Sequence, residues 1–290
     1  MSDAREYLKR VSETVDATLE QLLPSEASYP HSIHKLMRYS TFAGGKRVRP
    51  SLIMAAYEAC GGSFGDEKPR FAGAAFEMLH TFSLIHDDLP CMDNDDFRRG
   101  RPTAHRAFSE GLAVLGGDAL CIYAYEVLAR VGRIDIVDET SKALGTNGMI
   151  GGQVVDIESE GKEVDRATVE YIHNNKTSAF IRASVRTGAL LANATPDALA
   201  RLTRYGEAIG LAFQVVDDIL DEEGTTEQLG KDAGSDRERG KATFPAVVGM
   251  AESKRYAREL IDTACTAVDF LGEKADTLKS IAVFIGTRLS

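Results

Sequence analysis

Eight prolines, at positions 24, 30, 50, 69, 90, 102, 196 and 245, are all that interrupt 290 residues. Proline inside a helix removes a hydrogen bond and clashes with the preceding turn, so the long stretches between them are open to helix. Their periodicity favours it. From Tyr205 to Leu220 the apolar residues Tyr205, Ile209, Ala212, Phe213, Val216 and Leu220 advance in steps of 4, 3, 1, 3 and 4, a helical stripe and not a strand alternation. Segments near 52–60, 71–86, 112–131, 141–155, 166–192 and 246–271 are similarly rich in Ala and Leu, and glycine-containing breaks at 44–45, 61–65, 100, 132, 161 and 224–240 separate them. With no repeat, no low-complexity tract and no alternation of strands with helices, the sequence predicts an all-α bundle. It would be a single domain over residues 1–290 with about ten helices.

An apolar share of 43% excludes a disordered chain, and no uninterrupted apolar run reaches the roughly 18 residues of a membrane span. The start, MSDAREYLKR, alternates charge and lacks an apolar signal core. A net charge of −10 argues against a broad nucleic-acid or anionic-membrane surface. Cys60, Cys91, Cys121 and Cys265 form no CxxC pair, so neither a zinc knuckle nor a redox motif is present and reduced thiols in a cytoplasmic protein are expected.

Two acidic clusters stand out. LIHDDLPCMDNDD, residues 84–96, holds Asp87, Asp88, Asp93, Asp95 and Asp96; FQVVDDILD, residues 213–221, holds Asp217, Asp218 and Asp221. Gln214, Asp217, Asp218 and Asp221 step by 3, 1 and 3 and form a polar stripe beside the apolar stripe of the same helix. Carboxylates stacked this way repel unless cations sit among them, and hard oxygen ligands suit Mg²⁺ or Mn²⁺. A solvated acidic face is the ordinary alternative for one such run. Here both runs follow apolar helical segments, and basic residues stand beside both: Arg98, Arg99 and Arg101 after the first, Lys231 and Lys241 after the second. Carboxylates mixed with cations point to an anionic ligand held partly through metal.

A third feature is GGKRVRP at 44–50, where two glycines free the backbone and Lys46, Arg47 and Arg49 supply charge near a helix start, a diphosphate cradle. It is no Walker A loop, since Ser40 stands where glycine is required and Arg47 replaces Ser or Thr. An EF-hand fails because Arg98 takes the place of the sixth-position glycine. His86-Asp87 alone does not make a helical metal phosphohydrolase, for which His80 is a poor additional ligand.

Taken in order, GGKRVRP, LIHDDLPCMDNDDFRRGRPTAH, GGQ at 151–153, Lys176-Thr177, FQVVDDILD and GKATFP at 240–245 resemble the isoprenyl diphosphate synthases, the trans-prenyltransferase (polyprenyl synthetase) family. The DDxxxxD spacing of Asp87, Asp88 and Asp93 looks like its bacterial short-chain branch, farnesyl diphosphate synthases above all. The resemblance implies helices around a central cavity, cytoplasmic location and a homodimer. It also implies up to three Mg²⁺ ions, replaceable by Mn²⁺, held by Asp87, Asp88, Asp93, Asp217, Asp218 and Asp221. Arg98, Lys176, Lys231 and Lys241 would contact the diphosphate of an allylic substrate, dimethylallyl or geranyl diphosphate. Lys46, Arg49, His80 and Arg99 would hold isopentenyl diphosphate. Ionisation of the allylic C–O bond would give a cation, steadied by the dipoles of Thr177 and Gln214, that the isopentenyl double bond attacks head to tail before a proton is lost. Asp87, Asp88, Asp93, Lys176, Thr177, Gln214 and Asp217 would then be the catalytic set.

The resemblance also bears on product length. Phe82 lies five residues before Asp87, about 7.5 Å along a helix, with the small Ser83 next to it. A bulky residue there resembles the floor of C15-forming members; geranylgeranyl diphosphate (C20) is the alternative, and packing between helices is the ordinary role for such a Phe. Two other classes remain. A terpene cyclase needs one diphosphate site and leaves GGKRVRP without a purpose, and a non-catalytic helical partner subunit leaves the paired carboxylates without one.

Overall fold

The computed structural model describes residues 3–223 and 241–287; Lys231 and the expected break at 224–240 lie outside them. The described residues are helical almost throughout. The only strands among them are β1 (Phe97–Arg98) and β2 (Arg101–Pro102), an antiparallel pair with Phe97 opposite Pro102 and Arg98 opposite Arg101. The chain divides into two compact units.

The first unit comprises Leu8–Ser51 and Asp66–Ile134. It contains most of α1 (Ala4–Leu22), α2 (His31–Thr41), the first turn of α3 (Val48–Ala59), α4 (Glu67–Asp87), the β1–β2 hairpin, α5 (Ala104–Ala107) and α6 (Glu110–Val131). α4 packs along α6 and is buried on most of its surface, Phe76, Met78 and Leu79 completely. α6 starts at Ser109, whose Oγ accepts the Leu112 N–H at 3.2 Å, satisfying one of the free donors at a helix start. Its Ala113, Gly116, Gly117, Leu120, Ala124 and Val127 face inward, while Leu115 and Ile122 are exposed. α6 is long and apolar enough to cross a membrane by length and composition alone, a test that a core helix also passes; Asp118 and Glu126 interrupt its apolar run, as the sequence reading expects.

The second unit comprises Leu52–Gly65 and the chain from Asp135 onward, with the first residues through Tyr7. It holds α7 (Ile134–Leu144), α8 (Met149–Ser159), α9 (Arg166–Ile172), a π-helical turn (His173–Ser178), α10 (Ala179–Leu191), α11 (Pro196–Glu223), α12 (Phe244–Val248), α13 (Met250–Ala267), a 3₁₀ segment (Asp269–Ala275) and α14 (Asp276–Gly286). The helical segments outnumber the ten expected because 141–155 breaks between Leu144 and Met149, and 246–271 breaks at Gly249 and after Ala267. Of the stripe read on α11, Tyr205, Ile209, Ala212 and Val216 are buried and Phe213 and Leu220 half-buried, and Val215 and Ile219 join the core face. Val215, Val216 and Ile219 close on Val169 of α9, Phe244 of α12 and Ala257 of α13, each such aliphatic burial being worth about 1.5–3 kcal/mol. That face fixes the rotation of α11 and thereby where its carboxylates point.

Candidate active site

In the first unit, α4 ends at Asp87 and the chain folds straight back. The Asp93 N–H donates to the Asp87 carbonyl at 2.8 Å, and the Asn94 N–H to that of Leu89 at 3.0 Å, with Asn94 at φ 51°, a conformation Asn tolerates better than most residues. The first and last aspartates of DDxxxxD are thus brought together by their own backbone. The Thr103 hydroxyl donates to the Asp95 carbonyl at 2.7 Å and anchors the hairpin to the motif. Arg99 (φ 53°) and Gly100 (φ 74°) form the hairpin turn, the pairing of two positive φ values that suits strand twist.

This hairpin sends its two arginines to different places. Arg98 Nη2 lies 2.6 Å from Asp88 Oδ1 and 3.4 Å from Asp95 Oδ2. The Arg99 guanidinium donates instead to the Gly44 carbonyl and lies over Gly45, where a Cβ would sit only 2.7–2.9 Å from it. Asp88, Arg98, Arg99 and Arg101 share with Tyr39 and Thr81 the lining of an open cleft. Burial pushes the Asp88 carboxyl above its usual range, Asp95 and Asp93 adding to the effect against Arg98.

The GGKR turn corrects one expectation. Arg47 does not face a ligand: it is buried at φ 46°. Nη1 lies 2.7 Å from Glu77 Oε1 on α4, Nε donates to Asp16 Oδ1 of α1 at 2.9 Å, and Nη2 donates to the Thr41 carbonyl at 2.9 Å. Burial opposes its charge, but Glu77 and Asp16 outweigh burial and hold the guanidinium above its ordinary value. Its carbonyl accepts the Ser51 N–H at 3.0 Å and so starts α3. Lys46 on one side is exposed and Arg49 on the other half-buried. His80, on α4, is held well below the ordinary histidine range, first by burial and then by Arg49, Arg99, Arg98 and Arg47. A neutral imidazole among guanidinium groups marks a strongly positive region.

Phe82 is 9% exposed and meets the His86 ring edge-on at 5.8 Å; the Ser83 hydroxyl donates to the His80 carbonyl at 2.9 Å. Neither lines the cleft around Asp88.

In the second unit, Lys176 and Thr177 lie in the π-helical turn, a rare irregularity that tends to occur at functional sites. Adjacent residues point about a quarter turn apart, so the two face different helices. Lys176 Nζ lies 2.6 Å from Asp156 Oδ2 on α8, and the Thr177 hydroxyl donates to Gln214 Oε1 on α11 at 2.8 Å. α8 comes this close because Gly152 has no side chain: a Cβ there would collide with the Lys176 backbone. The GGQ motif and Asp156, one helical turn after Gly152, are thus two ends of one contact. Asp218, 3% exposed, accepts from Gln214 Nε2 at 3.0 Å and from the Phe244 N–H at 2.8 Å, and lies 3.1 Å from His173 Nε2. Burial pushes its carboxyl up, but His173, the Phe244 N–H and Gln214 together outweigh burial and hold it below its usual range. The Phe244 bond ties the segment carrying the half-buried Lys241 to α11.

The sequence reading missed Glu77, Asp16, Asp156 and His173. Asp156 had a signal, the four-residue spacing from Gly152; Glu77 and Asp16 had none. Of the six expected metal ligands, Asp88 is paired with Arg98 and Asp218 is met by Gln214, the Phe244 N–H and His173. Asp87, Asp93 and Asp217 are half-buried and Asp221 is buried. Among the described residues no three His, Cys, Asp or Glu side chains converge as a metal cage. The donor set still fits Mg²⁺, which binds through one or two carboxylates together with substrate phosphates and does not require an all-protein cage.

Over nearly its whole length the chain is similar to known proteins. The family model described as polyprenyl synthetase matches residues 30–280. A dimethylallyltranstransferase of Fischerella ambigua is 44% identical over 98% of this chain and 83% of its own length. A geranylgeranyl diphosphate synthase of Cyanophora paradoxa is 42% identical over 97% of this chain and 95% of its own length. The crystal structure of an FPP/GFPP synthase from Zymomonas mobilis superposes with a TM-score of 0.87 at 34% identity, covering 98% of both chains.

Proposed function

The chain belongs to the polyprenyl synthetase family, and from that premise we propose that it condenses isopentenyl diphosphate with dimethylallyl or geranyl diphosphate, head to tail. The observation that carries this reading is the division of Arg98 and Arg99. Arg98 is tied to carboxylates, a mixed site suited to a diphosphate bound through metal. Arg99 is turned to the glycine turn beside Lys46, Arg49 and His80, a surrounding richer in cations that suits a diphosphate held directly. Two anion sites of different composition suit the joining of two diphosphates; a cyclase needs one, and a non-catalytic subunit needs neither.

In this reading Asp87 and Asp93 from one motif and Asp217 and Asp221 from the other are the metal-holding carboxylates, with Asp88 and Asp218 locking their neighbours in place. Bound Mg²⁺ supplies charge neutralisation on the departing diphosphate. Arg98, Lys176, Lys231 and Lys241 add fixed positive charge to the same leaving group, stabilisation that grows as the C–O bond breaks. Lys176 is kept by Asp156 until a diphosphate competes for it. The Thr177 and Gln214 oxygens face the allylic cation, and Lys46, Arg49, Arg99 and neutral His80 hold isopentenyl diphosphate.

Phe82 supports a C15 product, its bulk closing the approach along α4. The C20 reading is supported by the relative from Cyanophora paradoxa, a geranylgeranyl diphosphate synthase by name. Replacement Phe82→Ala removes that bulk, and a shift from C15 toward C20 or longer is expected. The exposed Leu115 and Ile122 of α6 support a homodimer, and the reduced cysteines a cytoplasmic enzyme.

The test is incubation with isopentenyl and geranyl diphosphates and Mg²⁺, with chromatography of dephosphorylated products. A C15 or C20 alcohol that appears only when isopentenyl diphosphate is present is expected. A product formed from the allylic diphosphate alone would establish the cyclase instead.

A further inference from the structure

We propose that His173 and Asp218 are positioning residues that set the polarity of the Thr177 hydroxyl through Gln214. The inference rests on the reading of Thr177 and Gln214 as the dipoles facing the allylic cation.

The argument is one of hydrogen-bond direction. An ionised carboxylate only accepts. Asp218 Oδ2 takes up the Phe244 N–H at 2.8 Å and His173 Nε2 at 3.1 Å, leaving Oδ1 for Gln214 Nε2 at 3.0 Å. With its amide nitrogen committed there, Gln214 presents its oxygen to Thr177, and the Thr177 hydroxyl at 2.8 Å can only donate. The proton of Thr177 therefore points at Gln214, and the oxygen lone pairs are what remain for a ligand. That is the orientation a developing carbocation requires. If Gln214 turned over, its NH₂ would face Thr177, the hydroxyl would accept, and its proton would swing outward, presenting the wrong end of the dipole to the cation.

Two further observations support a built device. His173 is 3% exposed, and among the described residues its buried Nδ1 has no hydrogen-bond partner. Within them the polar engagement of the imidazole is the one to Asp218, and its burial serves that contact. In addition, His173 and Thr177 open and nearly close the same π-helical turn, so the two ends of the chain of bonds are held by one backbone irregularity. Asp218 is accordingly not a metal ligand in this assignment, unlike Asp217 beside it.

Steady-state kinetics and Mg²⁺ titrations on the full chain test the inference. Asp218→Asn places an amide against Gln214 and should lower kcat roughly ten- to hundredfold, less than the 10²–10³ of a lost preorganised donor. Both substrate KM values and half-saturating Mg²⁺ should stay within about threefold, as for an interaction made only in the transition state. On a Thr177→Val background, with no hydroxyl left to orient, the same substitution should cost less than about threefold. His173→Gln, which retains a donor near the Nε2 position, should recover most of the activity that His173→Leu loses. Thermal unfolding of each variant identifies any that fails to fold; should Asp218→Asn fail, the His173 pair decides. A large rise in half-saturating Mg²⁺, additive losses with Thr177→Val, or equal activity of the two His173 variants would overturn the inference. Wild-type protein that does not condense the two diphosphates would overturn the reading of the site itself, a separate outcome.

Discussion

Asp88 at the end of α4 and Asp218 within α11 are each 3% exposed, each the second member of an Asp-Asp pair, yet one carboxyl is pushed above its usual range and the other held below it. Burial acts against ionisation in both. Asp88 meets a single guanidinium while Asp95 and Asp93 crowd it with like charge. Asp218 meets an imidazole, an amide and a backbone N–H. Several well-aimed donors thus stabilise a buried carboxylate better than one cation in an acidic neighbourhood. Around Asp88 the first unit sets opposed charges, whereas around Asp218 the second sets directed hydrogen bonds. The first arrangement depends on ion pairing, the second on geometry.

The largest effect should come from breaking a charge pair in the first unit. Arg47→Met leaves Glu77 buried without its guanidinium and should cost about 3–5 kcal/mol of stability, read as a lowered thermal midpoint. Adding Glu77→Leu should restore much of it. Loss of the His173 donor in the second unit should cost less, about 1–3 kcal/mol; an equal or larger loss there would break the contrast. Next come the first aspartates of each pair. Asp87→Ala and Asp217→Ala should each lower kcat by roughly 10²–10³, and excess chelator should abolish turnover of the wild type. Activity that survives EDTA would remove metal from the account.

A smaller effect is expected at the glycine turn. Lys46→Ala or Arg49→Ala should raise KM for isopentenyl diphosphate about 10- to 100-fold, the worth of one charge-assisted contact of roughly 1.5–3 kcal/mol, with the allylic KM moving less. The reverse pattern would interchange the two sites.

The smallest effect concerns pH. His80 is held below the ordinary value of 6.5 by burial and the surrounding arginines. As pH falls below about 6.5 the unfolded chain therefore takes up a proton that the folded chain refuses, and stability declines. At higher pH both states are neutral at this site and its contribution is flat. Denaturant titrations from pH 7 to 5 should show a shallower decline for His80→Gln than for the wild type; identical slopes would mean that His80 titrates normally.

Sequence periodicity was enough for what is local. The stripe at Gln214, Asp217, Asp218 and Asp221 needed only a helical repeat, as did the end of α4 at the first motif, because residues three and four apart on a helix share a face whatever surrounds them. The set of cations beside each acidic run was equally plain. What each charge does was not. Lys46, Arg47 and Arg49 look equivalent in GGKRVRP, and only Asp16 and Glu77, 31 and 30 residues away, draw Arg47 inward. Asp217 and Asp218 are neighbours, and the partners that engage the second, His173 and Phe244, reach it from distant parts of the chain. A buried charge needs partners that desolvate together with it, and packing, not spacing along the chain, chooses those partners.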